Sequence, residues 1–325
     1  MSSICAILSH QPGDSRTLTC LEHLISQSRQ PDGIILINHD AEDSPTISQA
    51  LRLADRHGIT DQFHLLPTQE QINTPETDSS RGLNYAFQML GADYAWILTP
   101  DLIPQPDSLK ALLAQEVEEH TIRISLITRA ADASPLGRPL AIPATSAQPG
   151  TSGPPANPAW KPVLRQDELP SGKLIPCRGN LTAALYPRSL WAQVGTPSLE
   201  HFLNGEDEQY PWRARQAGYR FITVADSRLE LSGNDSGLCH ANIAGCTYFY
   251  ETGIPLPLMY LKLRNWALLE RMKSPRAYLP RLARCGGYIL FTIHSIIQSG
   301  EVSIHRVYNV FRALHNGFYG KLRPY

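Results

Sequence analysis

The sequence lacks several features that would place it in a familiar class. No apolar run reaches the roughly 18 residues of a membrane-spanning helix. The six cysteines form no Cys-x-x-Cys pair, and Cys239, His240 and Cys246 match no zinc spacing. The N-terminal residues lack the basic start and the long apolar stretch of a signal peptide. We therefore expect a cytoplasmic protein with reduced cysteines.

Net charge is also nearly absent, because 29 Lys and Arg residues oppose 30 Asp and Glu residues. A net charge of -1 gives no electrostatic reason to expect nucleic acid as a partner. The charge is uneven along the chain, since residues 248–325 hold 11 basic and 3 acidic residues. That excess is typical of a part that meets an anionic ligand or surface, and equally of solvated helix faces.

What the sequence does contain is an alternation of apolar strands and amphipathic helices. The first four apolar strands cover residues 4–8, 34–37, 63–66 and 94–98, and segments with helical spacing lie between them. This order predicts an α/β fold with a Rossmann-like, mostly parallel sheet flanked by helices. Ligands of such folds bind at the carboxyl ends of the strands.

The second half of the chain is less regular. Residues 130–175 are rich in Pro, Gly, Ser and Ala, which predicts a long functional or disordered loop. From Pro255 onward the spacing is helical, and a last helix carries one apolar stripe. Its members are Ile304, Val307, Tyr308, Phe311 and Leu314.

Polar residues follow the predicted strands at four places. Each group alone is explained by helix capping, because strand-to-helix turns favour Ser, Asp and Asn. Four groups along one edge of a parallel sheet indicate a ligand crevice instead. The groups are Ser9-His10, residues 38–43, residues 78–82 and Thr99-Pro100-Asp101.

A fifth polar group, Glu206-Asp207-Glu208, opens a helix that ends near Gly218. Acidic residues in a first helical turn complement the helix dipole, which is one explanation for them. The second explanation is a carboxylate placed to take a proton from an incoming hydroxyl. The sequence alone is consistent with both.

Several stretches together resemble glycosyltransferase family 2, the inverting enzymes of the GT-A fold, over roughly residues 3–235. They are CAILSHQPGD, PDGIILINHDAEDSPT, SSRGLNYAF, WILTPDLIPQPDSL and FLNGEDEQYPWRARQAGYRF. Three further stretches are most similar to rhamnosyl- and galactofuranosyltransferases that act on lipid-linked glycans of the cell surface. These are LELSGNDS, YLKLRNWALLERM and ALHNGFYGKL.

The resemblance implies a GT-A catalytic domain over residues 1–247 and a helical, basic region over residues 248–325. Within the domain it implies a nucleotide-sugar half (1–128), the Pro-rich loop (129–178) and an acceptor half (179–247). The implied reaction moves a sugar from a UDP- or dTDP-linked donor to a hydroxyl of a glycan or lipid-linked acceptor. Asp207 is the implied general base, and Glu206 is its neighbour and rival.

The resemblance also implies which residues face the donor. They are Ser9, Asn38, Asp40, Asp43, Arg81, Asp101 and Arg264. The family's metal-binding Asp-x-Asp is reduced here to Thr99-Pro100-Asp101, and Glu230 aligns with a metal-binding His of many relatives. Asp101 and Glu230 are therefore the expected ligands of Mg²⁺ or Mn²⁺, whose preferred donors are oxygens. The competing hypothesis is that metal binding is weak or absent and that Arg81, Lys262 or Arg264 neutralises the phosphates.

Some residues are consistent with two interpretations. The reduced metal motif and Asn38, which stands where the family usually has Asp, favour a catalytically inactive relative that binds a sugar nucleotide or acts as a scaffold. The retained Glu206-Asp207 pair argues against it, because a binding protein needs no base. Trp212 either stacks on an acceptor sugar or belongs to the core, and Arg213 either orients the acidic pair or is solvated. A nucleotidyltransferase is disfavoured, because Gly13 stands alone where such enzymes carry a glycine-rich phosphate loop.

The C-terminal region predicts a location as well. A basic amphipathic segment can lie in the interface of an anionic leaflet, which suits a lipid-linked acceptor. The apolar run at 288–297 is too short to span a bilayer. We expect peripheral attachment to the cytoplasmic face of a membrane; the competing hypothesis is helices packed on the catalytic domain or on a partner in a homo-oligomer.

Overall fold

The computed structural model describes most of the chain. The described residues are 2–41, 44–67, 77–115, 117–129, 172–177, 179–197, 206–232, 238–243, 246–251, 255–273, 278–298, 300 and 302–320. They form two compact units. The sheet unit comprises Met1–Pro197 and Tyr210–Gly233, and the helical unit comprises Ser198–Gln209 and Asn234–Tyr325. Residues 238–247, which the resemblance assigned to the acceptor half, fall in the helical unit.

The sheet unit is built on one mixed sheet. Its strands are β1 (Ile4–His10), β2 (Gly33–Asn38), β3 (Phe63–Pro67), β4 (Tyr94–Leu98), β5 (Leu102–Pro104), β6 (Thr121–Arg129), β7 (Leu174–Cys177), β8 (Ala184–Pro187) and β9 (Arg220–Leu231). They lie in the order β3-β2-β1-β4-β8-β6-β9-β5, with β7 also paired to β9. Strands β1 to β4 are parallel to their neighbours in this set, which confirms the predicted parallel half.

Helices cover the sheet. They are α1 (Arg16–Ile25), α2 (Pro45–Arg56), α3 (Asp78–Asn84), α4 (Ser108–Ala114), α5 (Arg188–Val194) and α6 (Glu206–Gln216). Helix α2 begins as its sequence dictates, since the Ser44 side chain accepts the Ile47 N–H and Pro45 fills the first turn. Helix α3 begins in the same way at Thr77, whose side chain accepts the Ser80 N–H.

The first two strands form the centre of the core. Every residue of β2 is buried, as expected for a parallel strand with both faces covered. Helix α3 lies unusually close to β1, because a Cβ on Gly82 would meet Cγ2 of Ile7 at 2.4 Å. This contact fixes the start of α3 against the sheet edge where β1 and β2 end.

From residue 238 onward, the described part of the helical unit holds a two-stranded hairpin and three helices. The hairpin pairs β10 (Leu238–Ile243) with β11 (Cys246–Glu251), and the helices are α7 (Leu256–Lys273), α8 (Tyr278–Gln298) and α9 (Ile304–Tyr319). Its core joins residues from all three helices, among them Tyr260, Cys285 and Val310. Within the described ranges, no helix has the length and apolarity needed to span a membrane.

The last helix is confirmed, but its predicted apolar stripe is not its buried face. Ile304, Tyr308 and Phe311 are exposed, and Leu314 is the buried member of that stripe. The inward face carries Val310, Leu314 and Phe318 together with small and amide side chains such as Ala313, Asn309, Asn316 and Gly317. Small residues are used there because α7 and α9 approach closely.

That close approach gives a stability prediction. A Cβ on Gly317 would lie 2.1 Å from the carbonyl oxygen of Arg264 in α7, and a backbone atom cannot move aside cheaply. We expect Gly317→Ala to lower the free energy of unfolding by about 1–3 kcal/mol. The matched control is Gly286→Ala in α8, where a Cβ meets nothing within 4 Å and we expect no loss or a small gain. Urea unfolding measures both, and equal losses would contradict the close helix contact.

Candidate active site

The carboxyl ends of three adjacent parallel strands lie side by side. Ser9 of β1 pairs with Ile37, and His10 pairs with Asn38 at the end of β2. On the other side, Leu8 pairs with Leu98, after which Thr99-Pro100-Asp101 begins. Three of the predicted polar groups therefore follow neighbouring strand ends, as the sequence pattern indicated.

Asp78, the first residue of α3, joins two of these groups. Both of its carboxylate oxygens lie 2.7 Å from Nε2 of His39. The Ser9 hydroxyl also donates to one of them. An ionised carboxylate only accepts hydrogen bonds, so it fixes the proton of His39 on Nε2. Each side chain of the pair is about a quarter exposed, at 25% and 26%.

A second His–Asp pair lies beside the first. His10 is fully buried, and its Nδ1 lies 2.8 Å from the Thr17 hydroxyl. Its Nε2 lies 3.7 Å from Asp40 and has no hydrogen-bond partner among the described residues. The backbone N–H of Ala41 donates to the Asp40 carboxylate, and this bond together with one from the Ser44 side chain holds the pKa of Asp40 below its usual range.

The side chain of Asn38 stabilises the turn that carries Asp40. Its side chain donates to the Asp40 carbonyl and accepts the Asp40 N–H, each at 2.9 Å. The residue is buried. The amide in place of the family's aspartate thus shapes the turn after β2, and Asp40 supplies the carboxylate that remains half-exposed there.

Arg16, at the start of α1, brings a cation to the same edge. Its Nε and Nη2 each donate to the Asp14 carboxylate at 2.8 Å, and Nη1 lies 3.5 Å from the Ser232 carbonyl oxygen. The Ser232 N–H in turn donates to the Asp101 carbonyl oxygen at 2.7 Å. Its bonds to Asp14 and the nearby charge of Asp101 raise the pKa of Arg16 above its usual value. The guanidinium stays about half exposed.

The proposed metal ligands lie on neighbouring strands. Strand β5 follows Asp101 directly and pairs antiparallel with β9, so that Ile103 faces Glu230. Asp101 and Glu230 are thus two positions apart on one ladder, a spacing of roughly 7–8 Å between backbones. In the described part of the chain no three His, Cys, Asp or Glu side chains form a metal-binding group. These two carboxylates fit Mg²⁺ or Mn²⁺ only if a ligand supplies further oxygens.

The remaining predicted residues are placed as follows. Arg81 donates to the Pro67 carbonyl at the end of β3. Arg264 is buried in the helical unit, where it donates to the Asn265 side chain at 2.8 and 3.0 Å. Glu206 and Asp207 open α6, but their side chains lie outside the described residues, as does Asp43.

Arg213 anchors helix α6, so it is not the solvated side chain that one of the two hypotheses described. Arg213 donates to the carbonyl oxygens of Thr196 (2.8 Å) and Val194. Burial lowers the pKa of its guanidinium. The side chain therefore anchors α6 to the segment after α5 and is not simply solvated. Trp212 is half-buried, which is compatible with both interpretations of that residue.

The sequence was also compared with known proteins. No known family profile matches the chain. The chain is 25% identical over 247 residues to galactofuranosyltransferase GlfT1 of Mycolicibacterium smegmatis, covering 71% of this chain and 72% of that protein.

Solved structures show the fold. The S. aureus TarS fragment 1–349 with UDP-GlcNAc has a TM-score of 0.52 at 12% identity, covering 97% of this chain and 80% of that one. The mannosyltransferase PcManGT of Pyrobaculum calidifontis, with GDP-Man and Mn²⁺, also has a TM-score of 0.52, at 11% identity, over 99% of this chain and 88% of that one. These structures show that the chain has the GT-A fold, and the curated protein that it resembles is a glycosyltransferase.

Sequence reasoning missed several groups of this site. His39, His10 and Asp78 were visible as members of polar clusters, but their pairing joins residues up to 39 positions apart. Arg16 stood outside every predicted group. Its only signal was the Asp14-x-Arg16 spacing at a strand-to-helix turn, which ordinary capping also explains.

Proposed function

We propose that this chain is an inverting glycosyltransferase of family 2 that uses a nucleoside-diphosphate sugar. Its acceptor is a hydroxyl of a glycan or lipid-linked acceptor in cell-surface polysaccharide synthesis. The bound UDP-GlcNAc of TarS and GDP-Man of PcManGT support the donor class. The similarity to GlfT1 supports transfer of galactofuranose or a related sugar.

The observation that carries the donor proposal is the polar edge of the parallel sheet. Ser9, His39 and Asp78 form one hydrogen-bonded group there, and Asp40 lies beside them. Hydroxyl, imidazole and carboxylate groups can bind the hydroxyls of a ribose and the polar edge of a base. Such a crevice at strand ends is the place where α/β sheets hold nucleotides.

The diphosphate then belongs near Asp101 and Arg16. Negative charge develops on the leaving oxygens as the glycosidic bond breaks, and preorganised cations at that point lower the barrier. A divalent cation held by Asp101 and Glu230 would supply such charge. Arg16 supplies a fixed positive charge of the chain itself, and Asp14 orients its planar guanidinium.

The acceptor step needs a base, and Asp207 is the proposed one. A carboxylate in the first turn of α6 can take the proton of the attacking hydroxyl. In an inverting reaction this attack comes from the face opposite the leaving diphosphate. Glu206 is the neighbouring carboxylate and remains the rival assignment.

We further propose that the enzyme works at the cytoplasmic face of the cell membrane. A lipid-linked acceptor is confined to that surface, and the basic C-terminal region suits anionic lipid headgroups.

Donor turnover tests the function. Purified protein is incubated with a panel of UDP-, dTDP- and GDP-sugars, and release of the nucleoside diphosphate is measured with and without chelator. We expect slow hydrolysis of one donor in the absence of acceptor. Binding of a nucleotide sugar with no turnover under any condition would favour a catalytically inactive relative.

Arg16 gives a sharper test of the diphosphate position. We expect Arg16→Met to weaken nucleoside diphosphate binding by about 10–100-fold, since a charge-assisted hydrogen bond is lost. The matched control is Arg29→Met, because Arg29 forms a similar ion pair with Asp32 near the amino ends of β1 and β2. Titration calorimetry measures both affinities, and equal affinities for the two variants would remove Arg16 from the donor site.

A further inference from the structure

Exposed apolar side chains are concentrated in the helical unit. Fourteen large hydrophobic residues are exposed in the described part of the chain. Three of them, Leu51, Met89 and Leu174, belong to the larger sheet unit, and the remaining eleven belong to the helical unit. An accumulation of this kind marks a surface that meets a partner.

The clearest part of this surface is one side of α9. Ile304, Tyr308, Phe311 and Tyr319 are 86, 62, 48 and 52% exposed. With the exposed His315 they are spaced by 4, 3, 4 and 4 residues, which is the repeat of a single helix face. We call Ile304, Tyr308, Phe311 and Tyr319 the outer row. Helix α9 therefore has a buried face and an exposed apolar face on opposite sides.

The preceding helix repeats the arrangement. Its described exposed residues include Leu279, Leu282, Leu290 and Ile297, while Cys285 and Ile296 are buried in the core of the unit. These four also fall on one helical face, at spacings of 3, 8 and 7 residues. Two successive helices thus carry apolar rows that the helical unit itself does not bury.

Charge indicates what the outer row meets. Helices α7, α8 and α9 contain eight Lys or Arg residues and a single acid, Glu270. That acid lies 3.3 Å from Lys273 and is neutralised within the unit. The guanidinium of Arg271 lies at the C-terminal end of α9, against Gly320 and so beside Tyr319. An apolar and aromatic row beside a net positive charge is the composition of helices that lie in anionic membrane interfaces.

The charge of this surface argues against a dimer contact. A second copy would bring an equally basic surface against this one, and like charges repel. A lipid surface needs no shape complementarity and offers the opposite charge.

We propose that the outer row of α9 inserts into the headgroup and acyl boundary of an anionic lipid bilayer. Tyr308 and Tyr319 lie there with their hydroxyls toward water, and Ile304 and Phe311 enter more deeply. Arg271, whose guanidinium lies beside Tyr319, binds a lipid phosphate. This deepens the proposed membrane location by naming the surface that carries it, and its readout does not require sugar transfer.

The test is flotation with vesicles of phosphatidylcholine, alone or with about one third phosphatidylglycerol, an anionic lipid. We expect the wild-type chain to float with the anionic vesicles and much less with the neutral ones. The double variant Tyr308→Glu, Phe311→Glu should bind anionic vesicles about tenfold or more weakly, because it places two charges in the apolar layer. The matched control is Met89→Glu, an equally exposed apolar position (70%) of the sheet unit, which should float like wild type.

Circular dichroism and the melting temperature test whether the double variant is folded. We expect it to fold, because both substituted positions are exposed. Wild-type flotation that the double variant loses and the Met89 variant keeps supports the proposal. Equal flotation of both variants, or no flotation of the wild type, overturns it. Light scattering that shows a wild-type dimer, converted to a monomer by the double substitution, overturns it in favour of a second copy. Donor turnover is measured separately, so failure here leaves the transferase proposal intact.

Discussion

Asp207→Asn is expected to lower the rate of sugar transfer by about 10²–10⁴-fold while leaving nucleoside diphosphate affinity unchanged. The amide keeps the size and polarity of the side chain but cannot accept the acceptor's proton. Because the donor is held at the strand ends by other residues, its binding should not depend on this carboxylate. Transfer kinetics and calorimetry with the nucleoside diphosphate measure the two quantities separately.

Glu206 and Glu208 are the matched controls, since they lie in the same first turn of α6 and carry the same charge. If all three acids serve only the helix dipole, each amide variant should reduce stability slightly and by a similar amount. A loss of transfer in Glu206→Gln with a normal rate in Asp207→Asn would reassign the base. Normal rates in both variants would contradict a carboxylate base in this turn.

Asp101→Asn is expected to reduce kcat/KM by about 10²–10³-fold through weaker stabilisation of the leaving diphosphate. The direction of the change in donor affinity carries additional information. If Asp101 holds a divalent cation, its loss should weaken donor binding, and chelator should have no further effect on the variant. If no cation binds, removing a negative charge beside Arg16 should leave binding of an anion unchanged or strengthen it.

Asp107→Asn is the control, because it is the second acid of the same stretch and is exposed. Its carboxylate accepts a hydrogen bond from Ser28 at 2.7 Å and serves the local structure. We expect its kcat/KM to stay within about twofold of wild type, as for most exposed substitutions. Tighter donor binding in Asp101→Asn together with full activity in chelator would contradict the metal assignment.

The parallel half of the sheet could be predicted because its strands are continuous apolar runs. Strand β2 is buried at every residue, and a continuous apolar run of this length is typical of a parallel strand that is covered on both faces. Strands β5 and β7 could not be found in the same way. Leu102–Pro104 has three residues and is a strand only because β9, more than 120 residues later, pairs with it. The local sequence does not indicate a pairing partner that lies so far along the chain.

In the candidate site, too, local features could be predicted and contacts between distant parts of the chain could not. The sequence placed Ser9, Asp40 and Asp101 at strand ends, because a strand's end is a local property that polar residues mark. It did not reveal that Asp78 bonds both Ser9 and His39, which depends on how closely α3 lies against β1. Arg16 was missed for a related reason, since the Ser232 carbonyl beside it comes from another part of the chain.

The outer row of α9 shows a different limit. The sequence predicted the helix and its apolar stripe correctly, but a periodic stripe does not say whether the protein or something outside it covers that face. Here the buried side combines Val310, Leu314 and Phe318 with Asn309, Ala313 and Gly317, whose small or hydrogen-bonding side chains permit close helix contact. The outer row, in contrast, is exposed.

A crystal structure of the chain with uridine or thymidine diphosphate tests the central claim most directly, which is that the carboxyl edge of β1, β2 and β4 holds the donor. We predict the diphosphate within hydrogen-bond distance of Arg16 and beside Asp101, with the ribose and base along Ser9, Asp40 and the His39–Asp78 pair. A nucleotide bound elsewhere, with these side chains still bonded only to one another, would contradict the account.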